Sequence, residues 1–142
     1  MIESLLFSFK KPLNKKYIMS KNIIVTTGIY DMIKDHIRRK KVTREEEELL
    51  TLELKNAQQV LRRELPEDIV TVNRRVKIKD HTENKEKEYM FVSTSKVNNK
   101  KGKLSILCDV AVATIGRQVG DVITWPFKNG EKKLEILKVE NL

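Results

Sequence analysis

Two helical patterns lie near the start of the chain. Between Thr27 and Arg39, Tyr30, Ile33 and Ile37 recur at spacings of three and four, which places them on one face of a helix. Thr26 or Thr27 is a suitable N-cap, because its hydroxyl can accept a hydrogen bond from a free N–H group of the first turn. The pattern therefore predicts a first amphipathic helix of about 13 residues, roughly 20 Å long.

A second helix is predicted from Thr43, because Thr43 and Glu46 have the spacing of a capping box. We expect it to continue to about Arg63. An apolar seam runs along it at alternating spacings of four and three: Leu50, Leu54, Ala57 and Leu61. Three further apolar residues lie off this seam and need cover from the rest of the chain or from a second copy: Leu49, Leu52 and Val60. Residues 23–64 are therefore predicted to form a short antiparallel helical hairpin, a coiled coil.

Beyond Pro66, which ends the helical pattern, apolar residues recur mostly at every second position, as in half-buried strands. Five mostly antiparallel strands are predicted: Ile69–Val72 leading into Arg75–Lys79, then Glu88–Ser93, Lys103–Leu107, Val122–Phe127 and Lys133–Val139. One short helix lies across them. The fold class is therefore α+β, with the hairpin followed by a C-terminal antiparallel β domain over residues 65–142.

The stretch from Gly102 to Asp121 organises this β domain. After the strand Lys103–Leu107, Asp109 is placed to cap the short helix, and Gly116 can supply the left-handed residue that ends it. Gly120 and Asp121 then turn the chain into the next strand. Cys108 lies beside apolar residues, so we expect a buried structural thiol rather than a nucleophile.

Charge and composition restrict the kinds of partner and ligand that we expect this protein to bind. The 142 residues carry 29 Lys and Arg against 20 Asp and Glu, a net charge of +9, which favours a polyanion or an acidic protein surface. A single cysteine excludes an internal disulfide and a cysteine-based metal cluster, so a cytoplasmic location is expected. The two histidines lack metal-ligand spacing, and no apolar run reaches the length of a membrane span. We therefore expect no cofactor, no metal and no membrane association.

Residues 1–22 read as an N-terminal extension that we expect to be disordered. A short apolar patch precedes the basic run KKPLNKK, the reverse of the order in a secretory signal. Met19 precedes a sequence typical of the start of a cytosolic protein. We therefore expect residues 1–18 to be an upstream extension, either disordered or translated only by choice of start codon.

The organising stretch resembles the C-terminal domain of the bacterial Gre transcript-cleavage factors, GreA and GreB. The matching residues are Gly102, Lys103, Ser105, Ala111, Ala113, Ile115, Gly116, Gly120, Asp121 and the closing Ile136–Glu140. The resemblance covers about Leu65 to Leu142. It implies an FKBP-like β domain that acts as a docking module, and the positions assigned to docking are Asp109, Gly116, Gly120 and Asp121.

The segment Leu65–Val76 resembles more closely the Rnk proteins, short-hairpin relatives of the Gre factors known as regulators of nucleoside diphosphate kinase. The residues that match are Pro66, Asp68, Val70, Thr71, Asn73 and Val76. Arg74 stands where that pattern favours a small serine, so the detail of this turn is expected to differ.

The Gre resemblance implies a mechanism in which two acidic residues at the tip of a long coiled coil pass through the secondary channel of RNA polymerase. There they help to hold a Mg²⁺ ion, for which carboxylate oxygens are suitable ligands. In this chain the tip is basic instead: Arg38, Arg39, Lys40 and Lys41. Glu45 and Glu48 follow one turn apart on the second helix, where they suit the helix dipole.

We therefore predict a non-catalytic regulator of transcription elongation that binds RNA polymerase at the secondary channel. Three alternatives remain open. The first alternative is a transcript-cleavage factor that uses Glu45 and Glu48. The second is a prolyl isomerase with an FKBP-like site, and the third is a nucleic-acid-binding protein that uses its positive charge. Self-association is a further prediction, since the off-seam apolar residues need a surface to cover them.

Overall fold

The computed structural model describes residues 22–141. Over these residues the chain is a mixed α+β protein with few helices and one large sheet, which confirms the predicted fold class at this level. The predicted extension over residues 1–22 lies outside the described residues, except for Asn22. No helix within residues 22–141 is long and apolar enough to cross a membrane.

Residues 22–141 contain three α-helices: α1, Thr27–Arg38; α2, Arg44–Asn56; and α3, Asp109–Thr114. Their starts follow local capping. Thr26 Oγ1 accepts from Ile29 N at 3.3 Å, and the predicted capping box is confirmed, with Glu46 N donating to Thr43 Oγ1 at 3.2 Å. Asp109 was expected to cap α3. The N-cap is Cys108 instead, and no side chain caps this helix.

Helix α2 ends seven residues before the predicted Arg63, since its last residue is Asn56. Ala57 takes an extended conformation, and Gln58 N donates to Ile23 O at 2.9 Å. The segment after α2 therefore pairs as a strand, because this tertiary hydrogen bonding competes with a helix pattern that contains a β-branched valine. Of the predicted seam, Leu50 and Leu54 are buried, but Leu61 beyond the helix end is exposed.

In the part of the chain that the structure describes, seven strands form two sheets: β1, Ile24–Thr26; β2, Gln58–Val60; β3, Arg74–Asp80; β4, Lys85–Val92; β5, Lys103–Ser105; β6, Val122–Phe127; and β7, Gly130–Asn141. Strands β1 and β2 form a parallel pair. The other five form a sheet in the order β5-β4-β3-β7-β6, in which only the β4–β5 pair is parallel. The predicted strand Ile69–Val72 is wrong, because this segment makes only an isolated bridge, Ile69 with Gln118.

A single apolar core joins the helices to the large sheet. Buried side chains of α1 and α2, such as Ile33 and Leu50, belong to the same cluster as Phe91, Trp125 and Ile136 of the sheet. Of the three off-seam residues, Leu49 is buried, Val60 is half-buried and Leu52 is 45% exposed. Of these three residues, only Leu49 is therefore fully covered within the described part of the chain. The domain boundary at residue 65, the coiled coil and the FKBP-like form of the β domain stay predictions.

Arg74 replaces the small residue of the Rnk pattern and is buried. Its Nη1 donates to Pro66 O at 2.7 Å and to Ile69 O at 2.8 Å, and its Nε donates to Asn141 Oδ1 at 2.6 Å. One side chain thus ties the segment after the helices to the end of the last strand. A serine could not reach these acceptors, so the substitution changes how the turn is anchored.

Candidate functional site

The basic tip lies in the loop between α1 and α2, where Lys40 adopts a left-handed conformation with φ 58°. Its four cations lie beside carboxylates to different extents. Arg38 and Arg39 both pair with Asp35, Arg39 through a 2.8 Å contact. Lys40 Nζ lies 3.4 Å from Glu47 Oε1. The loop therefore brings the predicted cations together, while Asp35 and Glu47 reduce its net positive charge.

Glu45 and Glu48 are both exposed on the first turns of α2. No group of three or more His, Cys, Asp or Glu residues among residues 22–141 is arranged to hold a metal ion. Glu45 and Glu48 therefore do not belong to a larger group of ligands among the described residues. Their position agrees with the stabilising effect of negative charge at a helix N-terminus.

Glu46, between these two residues, has a role that the sequence analysis missed. Its side chain is buried, and its Oε2 accepts a hydrogen bond from the buried Trp125 Nε1 at 2.9 Å. Its Oε1 accepts from Thr43 N at 3.1 Å in the capping box. Each carboxylate oxygen therefore has its own donor, and Glu46 joins the start of α2 to strand β6.

A second buried carboxylate, Glu53, pairs with Arg117. The side chains of Glu53 and Arg117 are 8% and 4% exposed. Burial raises the pKa of Glu53 to about 7, and the neighbouring Arg117 guanidinium opposes this rise. Glu53 follows Glu46 by two helical turns on the stripe that carries Leu50 and Leu54. Both buried contacts, of Glu46 with Trp125 and of Glu53 with Arg117, could have been anticipated from the sequence, because each glutamate interrupts an apolar stripe of α2.

Gly116 lies where β1 meets the large domain. Its φ is 81°, and a Cβ added here would lie 2.7 Å from Ile23 Cβ and 3.1 Å from Val25 Cγ1. The glycine carbonyl accepts from Ile24 N at 3.2 Å, and its own N–H donates to Val70 O at 2.9 Å. The prediction that Gly116 supplies a left-handed residue is confirmed. Its second property, close packing against β1, could not be read from the sequence.

Gly120 and Asp121 form the turn into β6. Gly120 has φ 95° and no atom within 4 Å of an added Cβ. Asp121 Oδ2 accepts from Gln118 N at 2.8 Å. These two positions and Gly116 therefore define the backbone path, while Asp109 is the one of the four predicted docking positions that lines the groove described next.

A groove of about 520 Å³ opens between the large sheet and α3. The apolar and aromatic residues that line the groove are Ile78, Tyr89, Leu104, Cys108, Val110, Phe127 and Leu134. The polar and charged residues that line it are Asp80, Glu83, Lys85, Lys87, Asp109, Lys128, Asn129 and Lys132. Volume and lining are typical of sites that bind an apolar group and orient it with a few polar contacts.

Charge on the groove is uneven. Lys132 Nζ lies 2.9 Å from Glu83 Oε2 and 3.7 Å from Asp80 Oδ2, so this lysine is locally neutralised. Lys87 and Lys128 make no ion pair with the described carboxylates. The groove therefore favours a partner segment that combines an apolar side chain with acidic ones.

The groove lacks the usual signs of a catalytic centre. Burial raises the pKa of the Cys108 thiol, which leaves it protonated and weakly nucleophilic near neutral pH. Trp125, the one tryptophan of the chain, is buried against Glu46 and does not line the groove. Among the described residues, Tyr89 and Phe127 are the aromatic side chains that line it.

Comparison with known proteins identifies the family. Residues 65–141 match the family described as transcription elongation factor GreA/GreB, C-terminal. The chain is 40% identical to a transcription elongation factor GreA of Clostridium botulinum over 86 residues, which are 61% of this chain and 54% of that protein. It is 38% identical to the GreA of Clostridium beijerinckii over the same length. The chain thus spans about half the length of these relatives.

Among solved structures, the chain resembles a prokaryotic transcription elongation factor GreA/GreB from Nitrosomonas europaea. The TM-score is 0.60 at 25% sequence identity, and the match covers 85% of this chain and 99% of the other. The family match takes in more than half of the chain, including β3 to β7, α3 and the groove between them. This protein therefore belongs to the GreA/GreB family of transcription elongation factors.

Proposed function

We propose that this protein binds RNA polymerase at its secondary channel and regulates transcription elongation without supplying catalytic carboxylates of its own. Its membership of the GreA/GreB family supports the choice of partner. The observation that carries the non-catalytic part is the tip, which presents Arg38, Arg39, Lys40 and Lys41 where the family mechanism needs acidic residues.

Helix length supports the same proposal. Helix α1 has 12 residues and α2 has 13, so each is roughly 18–20 Å long at about 1.5 Å per residue. A probe of this length suits the mouth of a channel rather than a deeply buried active centre. The tip then contributes electrostatic attraction to an acidic channel, while the β domain contributes most of the contact area.

The groove is the surface that we assign to docking on the polymerase. Val110 lines it from α3 and is half-buried. Changing Val110 to Glu places a charge among the apolar lining residues, and we expect at least tenfold weaker binding to purified bacterial polymerase, mainly through faster dissociation. Val122→Glu is the matched control, because Val122 is 47% exposed and does not line the groove. Biolayer interferometry with immobilised polymerase gives both rates.

In the same assay, the double charge reversal Arg39→Glu with Lys41→Glu should slow association and reduce its dependence on salt, with little change in dissociation. Equal binding by the wild type, the groove variant and the control would contradict docking through the groove. Absence of wild-type binding to polymerase would contradict the proposed function as a whole.

A transcript-cleavage factor is the second candidate function, because Glu45 and Glu48 are exposed close to the tip. On the proposed function, wild-type protein added to stalled elongation complexes causes no Mg²⁺-dependent shortening of the RNA. The variant with Glu45→Gln and Glu48→Gln should bind polymerase as the wild type does. Cleavage by the wild type that this double variant abolishes would establish the cleavage factor instead.

A further inference from the structure

A lysine-rich loop joins β4 to β5 at the edge of the large sheet. Residues 93–105 contain four lysines and no aspartate or glutamate: Lys96, Lys100, Lys101 and Lys103. Every residue from Ser93 to Lys101 is exposed. We call residues 93–103 the lysine loop. The lysine loop is therefore a short exposed segment with an excess of positive charge.

Backbone hydrogen bonds give the lysine loop a defined shape. Asn98 and Lys103 exchange a pair of bonds, at 2.9 and 3.0 Å, which closes the loop. Gly102 adopts the left-handed conformation, with φ 72°, and its N–H donates to Asn99 O at 3.1 Å. Lys100, Lys101 and Lys103 are therefore held within one compact turn at the sheet edge, and Lys96 lies in the short helical turn Thr94–Lys96 just before it.

None of the side chains of these four lysines forms an ion pair with a carboxylate of residues 22–141. Positive residues on the solvent face of the sheet are arranged differently. Lys77 lies opposite Glu88 and contacts Glu86 at 3.4 Å, and Lys138 contacts Glu140 at 3.4 Å. The sheet face is therefore balanced in charge, whereas the lysine loop is not.

We infer that the lysine loop binds the phosphate backbone of double-stranded nucleic acid without regard to sequence. Lysine, serine, threonine and asparagine side chains are the groups that proteins use to contact phosphates, and the loop consists almost entirely of them. It has no arginine to read base edges and no aromatic residue to stack on single-stranded bases. The inference goes beyond the proposed function, because it needs neither the groove nor the tip.

The test measures binding of the full chain to a fluorescent 20-base-pair duplex by anisotropy over a range of salt concentrations. Each phosphate contact contributes about 0.9 to the slope of log affinity against log salt. Changing all four loop lysines to Gln should therefore lower the slope by roughly 3.6 and weaken binding at 50 mM salt by about tenfold or more. Changing all four to Arg should restore binding, since the charge returns.

The control removes the same number of charges from the balanced sheet face: Arg75→Gln, Lys77→Gln, Lys79→Gln and Lys138→Gln. Both variants keep residues 1–21, so any contribution of that segment is constant. The control should keep the wild-type slope.

Equal losses in the two variants would reduce the effect to net charge and overturn the inference. So would a loop variant that still binds DNA but no longer binds poly-glutamate, because the partner is then an acidic protein. Should the fourfold variant fail to fold, Lys100→Gln with Lys101→Gln should give about half of the slope change.

Discussion

Replacing Gly116 with alanine should destabilise the protein by about 2–5 kcal/mol. Two effects add. Alanine in a left-handed conformation costs about 1–2 kcal/mol, and its Cβ would lie 2.7 Å from Ile23 Cβ. Ile23 and Val25 are themselves buried, so β1 has to move to relieve the overlap. The measurement is the free energy of unfolding in urea, followed by circular dichroism.

Gly120→Ala separates the two effects. Gly120 also has a positive φ, 95°, but an added Cβ meets nothing within 4 Å. This control therefore carries the backbone cost alone, about 1–2 kcal/mol. Faster hydrogen exchange at Ile24 N–H in the Gly116 variant would report that β1 has detached. Equal destabilisation by the two variants would mean that the contact with β1 contributes nothing.

Local signals in the sequence predicted local structure well. The capping box at Thr43 and Glu46, the left-handed residue at Gly116 and strand β6 all depend on neighbours within a few positions, and each is confirmed. Their physical causes are satisfied backbone donors, freedom from a Cβ and alternating burial. Such causes act within one element, so the residue pattern itself contains them.

Longer-range pairing could not be predicted in the same way. Strand β2 carries an apolar spacing that also suits a helix, and only pairing with β1, more than 30 residues earlier in the chain, makes it a strand. Val122, an apolar residue, lies at the start of edge strand β6 and is 47% exposed. The residue pattern of a segment does not determine which distant part of the chain packs against it.

The candidate site was predicted in part. A basic loop between two helices could be expected from the residue pattern, and the four consecutive cations do lie at the end of α1 and in its connection to α2. The pattern gave no reason to expect that Asp35 pairs with two of them, although their spacing of three and four on α1 permits it. The groove depends on the packing of α3 against the sheet, so its lining residues come from strands far apart in the chain.

Arg117→Met should destabilise the protein by about 3–5 kcal/mol at pH 8, because it leaves the carboxylate of Glu53 buried without its partner. The methionine has a similar length and fills the same space. At pH 5 the cost should be smaller, since Glu53 then takes up a proton and no buried negative charge remains. Urea unfolding at pH 5, 6, 7 and 8 measures this difference. The double variant Glu53→Gln with Arg117→Met should recover part of the loss at pH 8.

The wild type should itself lose stability as the pH rises from about 4.5 to about 7, and this loss can be assigned to Glu53. Its pKa in the folded protein is about 7, against 4.5 for an unperturbed glutamate, so the folded state binds more protons over this interval. A group with a raised pKa therefore contributes stability at low pH that disappears as the pH passes its folded value. The loss should be about 3.5 kcal/mol at most, at about 1.4 kcal/mol for each pH unit between the two values. Glu53→Gln cannot titrate and should flatten the profile over this interval. If the wild type instead gains stability relative to Glu53→Gln as the pH rises towards 8, the attraction of Arg117 outweighs the burial of Glu53 and the sign of the pKa shift is wrong.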